Sequence, residues 1–259
     1  MNQQLAPVVR IPRAHRATMQ LPRQVAVTGE KPIYALCSDG EEYWCKKFDL
    51  DVGGLTVVNE VVASEIGKLI GAPIIDWAVI DVPDELQGRR ALGSDTFYPS
   101  LPMFGSKHIK TSISKDVLMW VDKDGNFSRI PSLIGLWHLC NADDTQVIYD
   151  AEADTQIYSI DHGYWFDSYE GKRIFSDGMT LYEPLPLLRG RIPNEHWEQS
   201  IVQVGEFANA STHHIFQMMP NEWGVNESEI VGMVDYAKSR VEYTIGILEE
   251  YRAKYLKRG

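Results

Sequence analysis

The spacing of hydrophobic and polar positions changes along the chain, from strand-like at the front to helical at the back. Ala17–Val27, Pro32–Cys37 and Glu42–Phe48 are short runs rich in β-branched and aromatic residues, which predicts strands. Ser38-Asp39-Gly40, between the second and third runs, is a hairpin signal, because Asp-Gly accepts the positive φ of a tight turn. Gly53-Gly54 then breaks the chain. Beyond it Val58, Val61, Val62, Ile66, Leu69 and Ile70 recur at helical spacing, with Thr56 or Asn59 available to cap the helix. Gly71 followed by Pro73 ends it, and Ile74–Val82 returns as a strand.

Residues 83–130 carry Pro83, Pro99, Pro102 and several glycines, and are expected to be loop-rich and to hold a junction between lobes. A helix is predicted over Pro131–Cys140. Gln146–Tyr149 and Gln156–Ile160 read as short strands joined by a polar turn at Asp150–Asp154. Helical segments follow near Glu195–Asn209, Thr212–Met219 and, as one long element, from Ser228 to Lys257. The predicted fold class is α+β: a strand-rich N-lobe with one inserted helix, a helical C-lobe and a cleft between them. The expected divisions are a basic N-terminal segment over 1–16, an N-lobe over 17–100 and a C-lobe over 101–259.

Composition adds limits. The chain has 259 residues, 44% hydrophobic and 24% charged, as an ordinary soluble globular protein does. A formal net charge of -11 argues against direct nucleic-acid binding and against an anionic membrane surface. Arg10, Arg13, Arg16 and Arg23 stand in an acid-free opening stretch, which suits a solvated basic tail or a segment that docks an acidic partner. Lys254, Lys257 and Arg258 sit where cations favour a helix end. Cys37, Cys45 and Cys140 are widely spaced among apolar neighbours and read as core thiols of a reducing compartment. No CxxC or HxxxH spacing supports a zinc site, and His213-His214 reads as surface. Met1–Arg10 lacks the apolar run of a secretory signal, and no membrane-length apolar stretch occurs, so a cytoplasmic protein is expected.

Candidate chemistry concentrates in two acidic segments, Asn141-Ala142-Asp143-Asp144-Thr145-Gln146 and Ile160-Asp161-His162-Gly163. Carboxylates at the edge of a core are costly unless paired, hydrogen-bonded or bound to a metal. Acid-rich loops at the ends of adjacent elements are what a magnesium-dependent phosphoryl-transfer site needs. A lysine in the strand Tyr43-Trp44-Cys45-Lys46-Lys47-Phe48, paired with Glu60 on the following helix, matches the arrangement that holds nucleotide phosphates in protein kinases. Strand alternation turns only one of Lys46 and Lys47 to a given face. Lys46 shares its face with Trp44 and Phe48, Lys47 with Tyr43 and Cys45, and both faces are apolar.

The segments Tyr43-Trp44-Cys45-Lys46, Val58-Asn59-Glu60, Ile66-Gly67-Lys68-Leu69-Ile70-Gly71-Ala72-Pro73, Phe104-Gly105-Ser106-Lys107, Cys140-Asn141-Ala142-Asp143 with Gln146, and Ile160-Asp161-His162-Gly163 together resemble HipA-like kinases. The resemblance runs from about residue 20 to about 170. It implies a two-lobed atypical serine/threonine kinase that binds ATP with Mg2+. By that resemblance Lys46 is the ATP-phosphate lysine and Glu60 its helix partner. Asp143 is the catalytic base, Gln146 the amide ligand of magnesium and Asp161 the magnesium aspartate. Gly29, Ser106 and Lys47 are further candidates for nucleotide contact, with Ser106 equally suited to a plain Gly-Ser turn.

The chain departs from the family pattern in places. Asp144 follows the catalytic aspartate where many relatives have Arg, Gln146 lies only three positions beyond Asp143, and no G-x-G-x-x-G loop precedes the lysine. Only the turn Val27-Thr28-Gly29-Glu30-Lys31 is placed to lie over phosphates. These departures motivate an alternative, a nucleotide-binding pseudokinase acting as an interaction module. A metal-dependent hydrolase is a third reading, with no nucleophile constellation beyond Asp161-His162. The phosphoacceptor, a protein or a small molecule, is not named by the sequence.

Overall fold

A computed structural model describes residues 13–27, 29–114, 117–123, 125–153, 155–175 and 187–257. Arg10, Thr28, Asp154 and Arg258, and with them most of the segment 1–16, lie outside the described residues. The fold is mixed α+β. Its front is built from β1 (Arg16–Val25), β2 (Ile33–Cys37), β3 (Glu42–Lys46), helix α1 (Leu55–Leu69), β4 (Trp77–Asp81) and β5 (Met103–Lys107). These five strands form a closed barrel in the order β1-β2-β3-β5-β4, antiparallel throughout except where β4 meets β1. The fifth strand lies beyond residue 100, so a division of the chain at 100/101 would leave the barrel open.

Alternation explains the barrel. Ala17, Met19, Ile33, Ala35, Cys37, Tyr43, Cys45, Ala78, Ile80 and Met103 point inward and form one apolar cluster. Small and large residues alternate because a narrow barrel has room for only some bulk. Gly105 marks the limit: a Cβ there would lie 2.6 Å from Ile80 and 3.3 Å from Tyr43. On the outer face Trp77, Val79 and Phe104 belong to the second, larger core, which includes Val57, Val58, Val61, Val62 and Ile66 of α1.

Helix α1 is buried on most of its circumference, so its polar residues Asn59, Glu60 and Glu65 are buried too. It opens from Gly54 in the left-handed region, with no side-chain cap. Thr56 and Asn59 therefore do not cap it; both lie inside the helix, and Asn59 has another task described below.

The back begins with β6 (Ser112–Ser114), β7 (Val117–Leu118) and helix α2 (Asn126–Leu139), followed by β8 (Gln146–Asp150) and β9 (Gln156–Ile160). Strands β6, β8 and β9 form an antiparallel sheet. The Ser159 amide donates to the Pro73 carbonyl at 2.8 Å, which ties this sheet to the segment leaving α1. The two-residue pairings β10 (Ser168–Tyr169) with β11 (Lys172–Arg173) and β12 (Leu187–Leu188) with β7 follow. Helices α3 (Asn194–Phe207), α4 (His213–Gln217), α5 (Glu227–Ser239) and α6 (Val241–Tyr255) complete the chain, and α2 packs on α3 and α6.

Some elements differ from expectation for identifiable reasons. Helix α2 starts at Asn126, with Pro131 inside it rather than at its first turn. The Asn126 side chain anchors that start, donating to the Trp120 carbonyl at 3.0 Å and accepting from the Ile157 amide at 3.1 Å. The single long C-terminal helix is two, broken at Arg240. That arginine is buried between Tyr236 and Tyr243, and its Nε donates to the His138 carbonyl at 2.7 Å. Ser106 lies in β5, opposite Trp44 and Trp77, and not in a turn. Among the described residues no helix is long and apolar enough to cross a membrane.

Candidate functional site

The site forms where β3, α1 and the end of β9 converge. Lys46 closes β3 on the face opposite the barrel interior, because Tyr43 and Cys45 are the residues turned inward. Its ammonium donates to Glu60 Oε1 at 2.5 Å and to Asp161 Oδ1 at 2.5 Å. Glu30 Oε2 stands 3.5 Å from the same nitrogen. Side-chain exposure is 5% for Glu60, 13% for Lys46 and 41% for Asp161, so the cluster runs from the core out to the cleft.

Burial and charge oppose one another here. Burial disfavours both ionised forms, yet for Lys46 the carboxylates of Glu60, Asp161 and Glu30 outweigh it and hold the ammonium well above the usual lysine range. Burial likewise works against the Glu60 carboxylate, but Lys46 and His162 overcome it and bring Glu60 to about 2. Lys46 and Glu60 are therefore both charged at neutral pH.

The loop after β9 is held from below. Asp161 has a positive φ of 60°, unusual for a residue with a side chain, and it aims the carboxylate back at Lys46. His162 is buried, with Nδ1 3.2 Å from Glu60 Oε2, out of line for a hydrogen bond, and Nε2 3.0 Å from Ser159 Oγ. Asn59, next to Glu60 on α1, donates to the Gly163 carbonyl at 2.7 Å, the Trp165 carbonyl at 3.0 Å and Ser168 Oγ at 3.0 Å. Its Oδ1 accepts from Arg173 Nε at 2.7 Å, and Arg173 also reaches the Leu55 carbonyl and Glu229 of α5. The helix that carries Glu60 and the loop that carries Asp161 thus move as one piece.

The other acidic segment approaches from β8. Gln146 Nε2 donates to Asp144 Oδ2 at 2.7 Å and lies 3.4 Å from Asp161 Oδ2. Asp143 Oδ1 accepts from the Asp144 amide at 3.0 Å. Asn141 and Asp144 both have positive φ, so this short loop is as sharply folded as the one at Asp161.

A cavity of about 240 Å³ opens beside the Lys46 cluster. Trp44, Ile75, Phe104, Ile109, Ile148 and Ile160 give it apolar walls, and Lys46, Glu60 and Asp161 form its charged end. Ser106 lines it as well.

The structure thus gathers Lys46, Glu60, Asp161, Gln146 and Ser106; the Asp143 carboxylate accepts from the Asp144 amide in the adjoining loop and does not join the Lys46 cluster. It separates Lys47, whose ammonium donates to Thr96 Oγ1 at 2.6 Å and lines a different cavity. Gly29 lines that second cavity too, with nothing within 4 Å of where its Cβ would stand, so no steric demand selects glycine there. His213 pairs with Glu227 at the surface. Sequence reasoning gave Arg173 no role and Glu30 only a place in a turn; it named Asn59 as a cap and His162 as a motif residue without seeing what either holds. The usable signal was Asn59, an amide in an otherwise apolar helical stretch.

No protein-family model matches the chain, and no curated protein matches it. Among solved structures, the Helicobacter pylori proinflammatory kinase CtkA matches 93% of this chain and 99% of its own, with a TM-score of 0.50 and 10% identity. At that identity the likeness is one of fold: this mixed α+β chain is similar in its backbone architecture to a kinase.

Proposed function

We propose that this chain is an ATP- and magnesium-dependent phosphotransferase, a HipA-like serine/threonine kinase with a strand-rich N-lobe, a helical C-lobe and the nucleotide between them. The observation that carries the reading is the single buried ammonium of Lys46, shared between Glu60 of α1 and Asp161 at the end of β9. The kinase-like backbone supports it. The apolar cavity walls suit a purine.

The donor set fits a hard divalent cation. Three carboxylates around one ammonium leave surplus negative charge; Asp161 would hold magnesium, and Gln146 would join it once its amide, which donates to Asp144 and Asp161 here, reversed to offer oxygen. Magnesium held there would supply charge neutralisation to the transferring phosphate. Lys46 holds the α- and β-phosphates, and Glu60 keeps Lys46 in place. Asp143 orients the acceptor hydroxyl. The acceptor oxygen bonds to the γ-phosphorus, the bond to the β–γ bridging oxygen breaks with its electron pair leaving on ADP, and the hydroxyl proton passes to Asp143. Such catalysis is positioning and charge neutralisation. Three buried free cysteines suit a reducing compartment, which supports a cytoplasmic reading.

The test is label transfer from ATP with magnesium, to the chain itself and to a lysate, comparing wild type with Asp161→Asn. The variant should lose transfer and keep its fold; undiminished transfer would sink the assignment. One observation favours the silent alternative, a nucleotide-binding interaction module: Asp144 engages the Gln146 amide. Tight ATP binding without transfer to any acceptor would decide for it.

A further inference from the structure

A second cavity, of about 820 Å³, adjoins the Lys46 site through Glu30 and Tyr164. Its size is that of a ligand cleft, roughly 300–1,000 Å³. Glu30 lines it and faces the Lys46 ammonium at 3.5 Å. Tyr164 also lines it, three residues beyond Asp161. Partial burial raises the phenol above the usual tyrosine range, helped by the carboxylates of Glu30 and Asp161 against Lys46.

The walls are shaped rather than loose. Gly54 is pressed against Phe48, whose ring lies 1.9 Å from where a Cβ would be, and Gly171 against Val52 at 2.9 Å. Both glycines have positive φ. Gly163 lies against Thr56, which sets the loop after Asp161 on the start of α1 and closes the floor.

The lining selects its occupant by charge. Four carboxylates, Glu30, Asp49, Asp95 and Glu170, face two ammoniums, Lys31 and Lys47. Lys31 is bound to Asp95 at 2.5 Å and Lys47 to Thr96 at 2.6 Å, so neither reaches Asp49 or Glu170. The surplus is negative and disfavours a nucleic acid or a phosphorylated metabolite. Apolar side chains stand out from the same surface: Leu50 is 72% exposed, Tyr164 52% and Phe97 49%. Separate apolar contacts along an acidic groove call for several side chains on one backbone.

We propose that this groove binds the phosphoacceptor, an extended peptide segment that presents a Ser or Thr hydroxyl among basic and apolar side chains. The inference names the substrate class of the kinase proposed above and rests on that reading for its catalytic meaning, but binding can be read without catalysis.

The experiment uses the full chain and fluorescein-labelled peptides of equal length in anisotropy titrations. One peptide carries Arg and Leu around a central Ser; a second has Glu for Arg; a third has Gly for Leu. The first should bind at least about tenfold tighter than the second, and the preference should shrink in high salt. Glu170→Lys and Leu50→Ser should each weaken it about tenfold while ATP binding is unchanged; Val202→Asp, on an exposed face of α3, should do nothing. Equal binding of the basic and acidic peptides, or indifference to both groove variants, would overturn the proposal. Groove-dependent binding without label transfer would support the groove and count against the kinase. Transfer to peptides that ignores the groove variants would count against the groove alone.

Discussion

Replacing Glu60 with Gln keeps the shape of a buried side chain and removes its charge. Glu60 and Lys46 meet at 2.5 Å, where attraction at an effective dielectric of about 20 is on the order of 7 kcal/mol before desolvation is charged against it. Removing one partner of a buried pair costs roughly 3–5 kcal/mol. Lys46 retains Asp161 at 2.5 Å and Glu30 at 3.5 Å, so the lower end of that range, about 3 kcal/mol, is expected. The acid titration of Glu60 leads to the same place. A carboxyl brought from 4.5 to about 2 contributes roughly 3 kcal/mol at neutral pH. Because the folded value lies below the unfolded one, that contribution is complete above pH 4.5 and is lost as pH falls toward 2. Urea unfolding of both proteins across this window is the assay. The gap should be widest at neutral pH and close in acid, where protonated Glu60 is as neutral as Gln. A gap under about 1 kcal/mol at pH 7, the value of an exposed pair, would refute the reasoning. So would one that persists unchanged at the acid end.

Lys46→Met should abolish nucleotide binding measured by calorimetry, whereas Lys47→Met, at Thr96, should leave it within about threefold. Asn59→Ala leaves the Gly163 and Trp165 carbonyls and the Arg173 guanidinium short of a partner; a loss of roughly 3 kcal/mol in urea unfolding is expected, with Asn59→Ser recovering part of it. Gly54→Ala puts a Cβ 1.9 Å from the Phe48 ring at positive φ and should lower the unfolding midpoint by an amount equivalent to about 2 kcal/mol or more. All three thiols are buried, so a thiol reagent should react with none in native buffer and with all three in denaturant.

Much of the front was legible because its strands have one apolar face and its helix has punctuated ends. Periodicity failed at Lys46 and Lys47 because both faces of β3 carry apolar residues, one packed in the barrel interior and the other, with Trp44 and Lys46, lining the cavity. Only the closed topology distinguishes an interior side from a helix-facing side. The fifth barrel strand was missed because Met103–Lys107 is short, follows Pro102 and contains Gly105, which reads as a breaker yet is required by crowding against Ile80. The break at Arg240 was hidden since arginine is a good helix former, and its contacts across the core, the His138 carbonyl among them, leave no mark in the local sequence. Acidic residues announced the site, but the network that holds it was silent. Asn59 meets Arg173, and Glu60 meets His162, from positions more than a hundred residues apart, and such pairings leave no local pattern.

The parallel seam between β1 and β4 has one more consequence. By closing the ring it leaves no strand of the barrel with a free edge. Edge-to-edge association, the commonest hazard of a small sheet, has no foothold there. Nor can a partner be captured on that face by adding a strand of its own, the mode in which main-chain hydrogen bonds do the recognising. Whatever docks against this part of the molecule must be recognised by side chains and loops, and specificity at the barrel can be rewritten by substitution without disturbing the backbone that supports it.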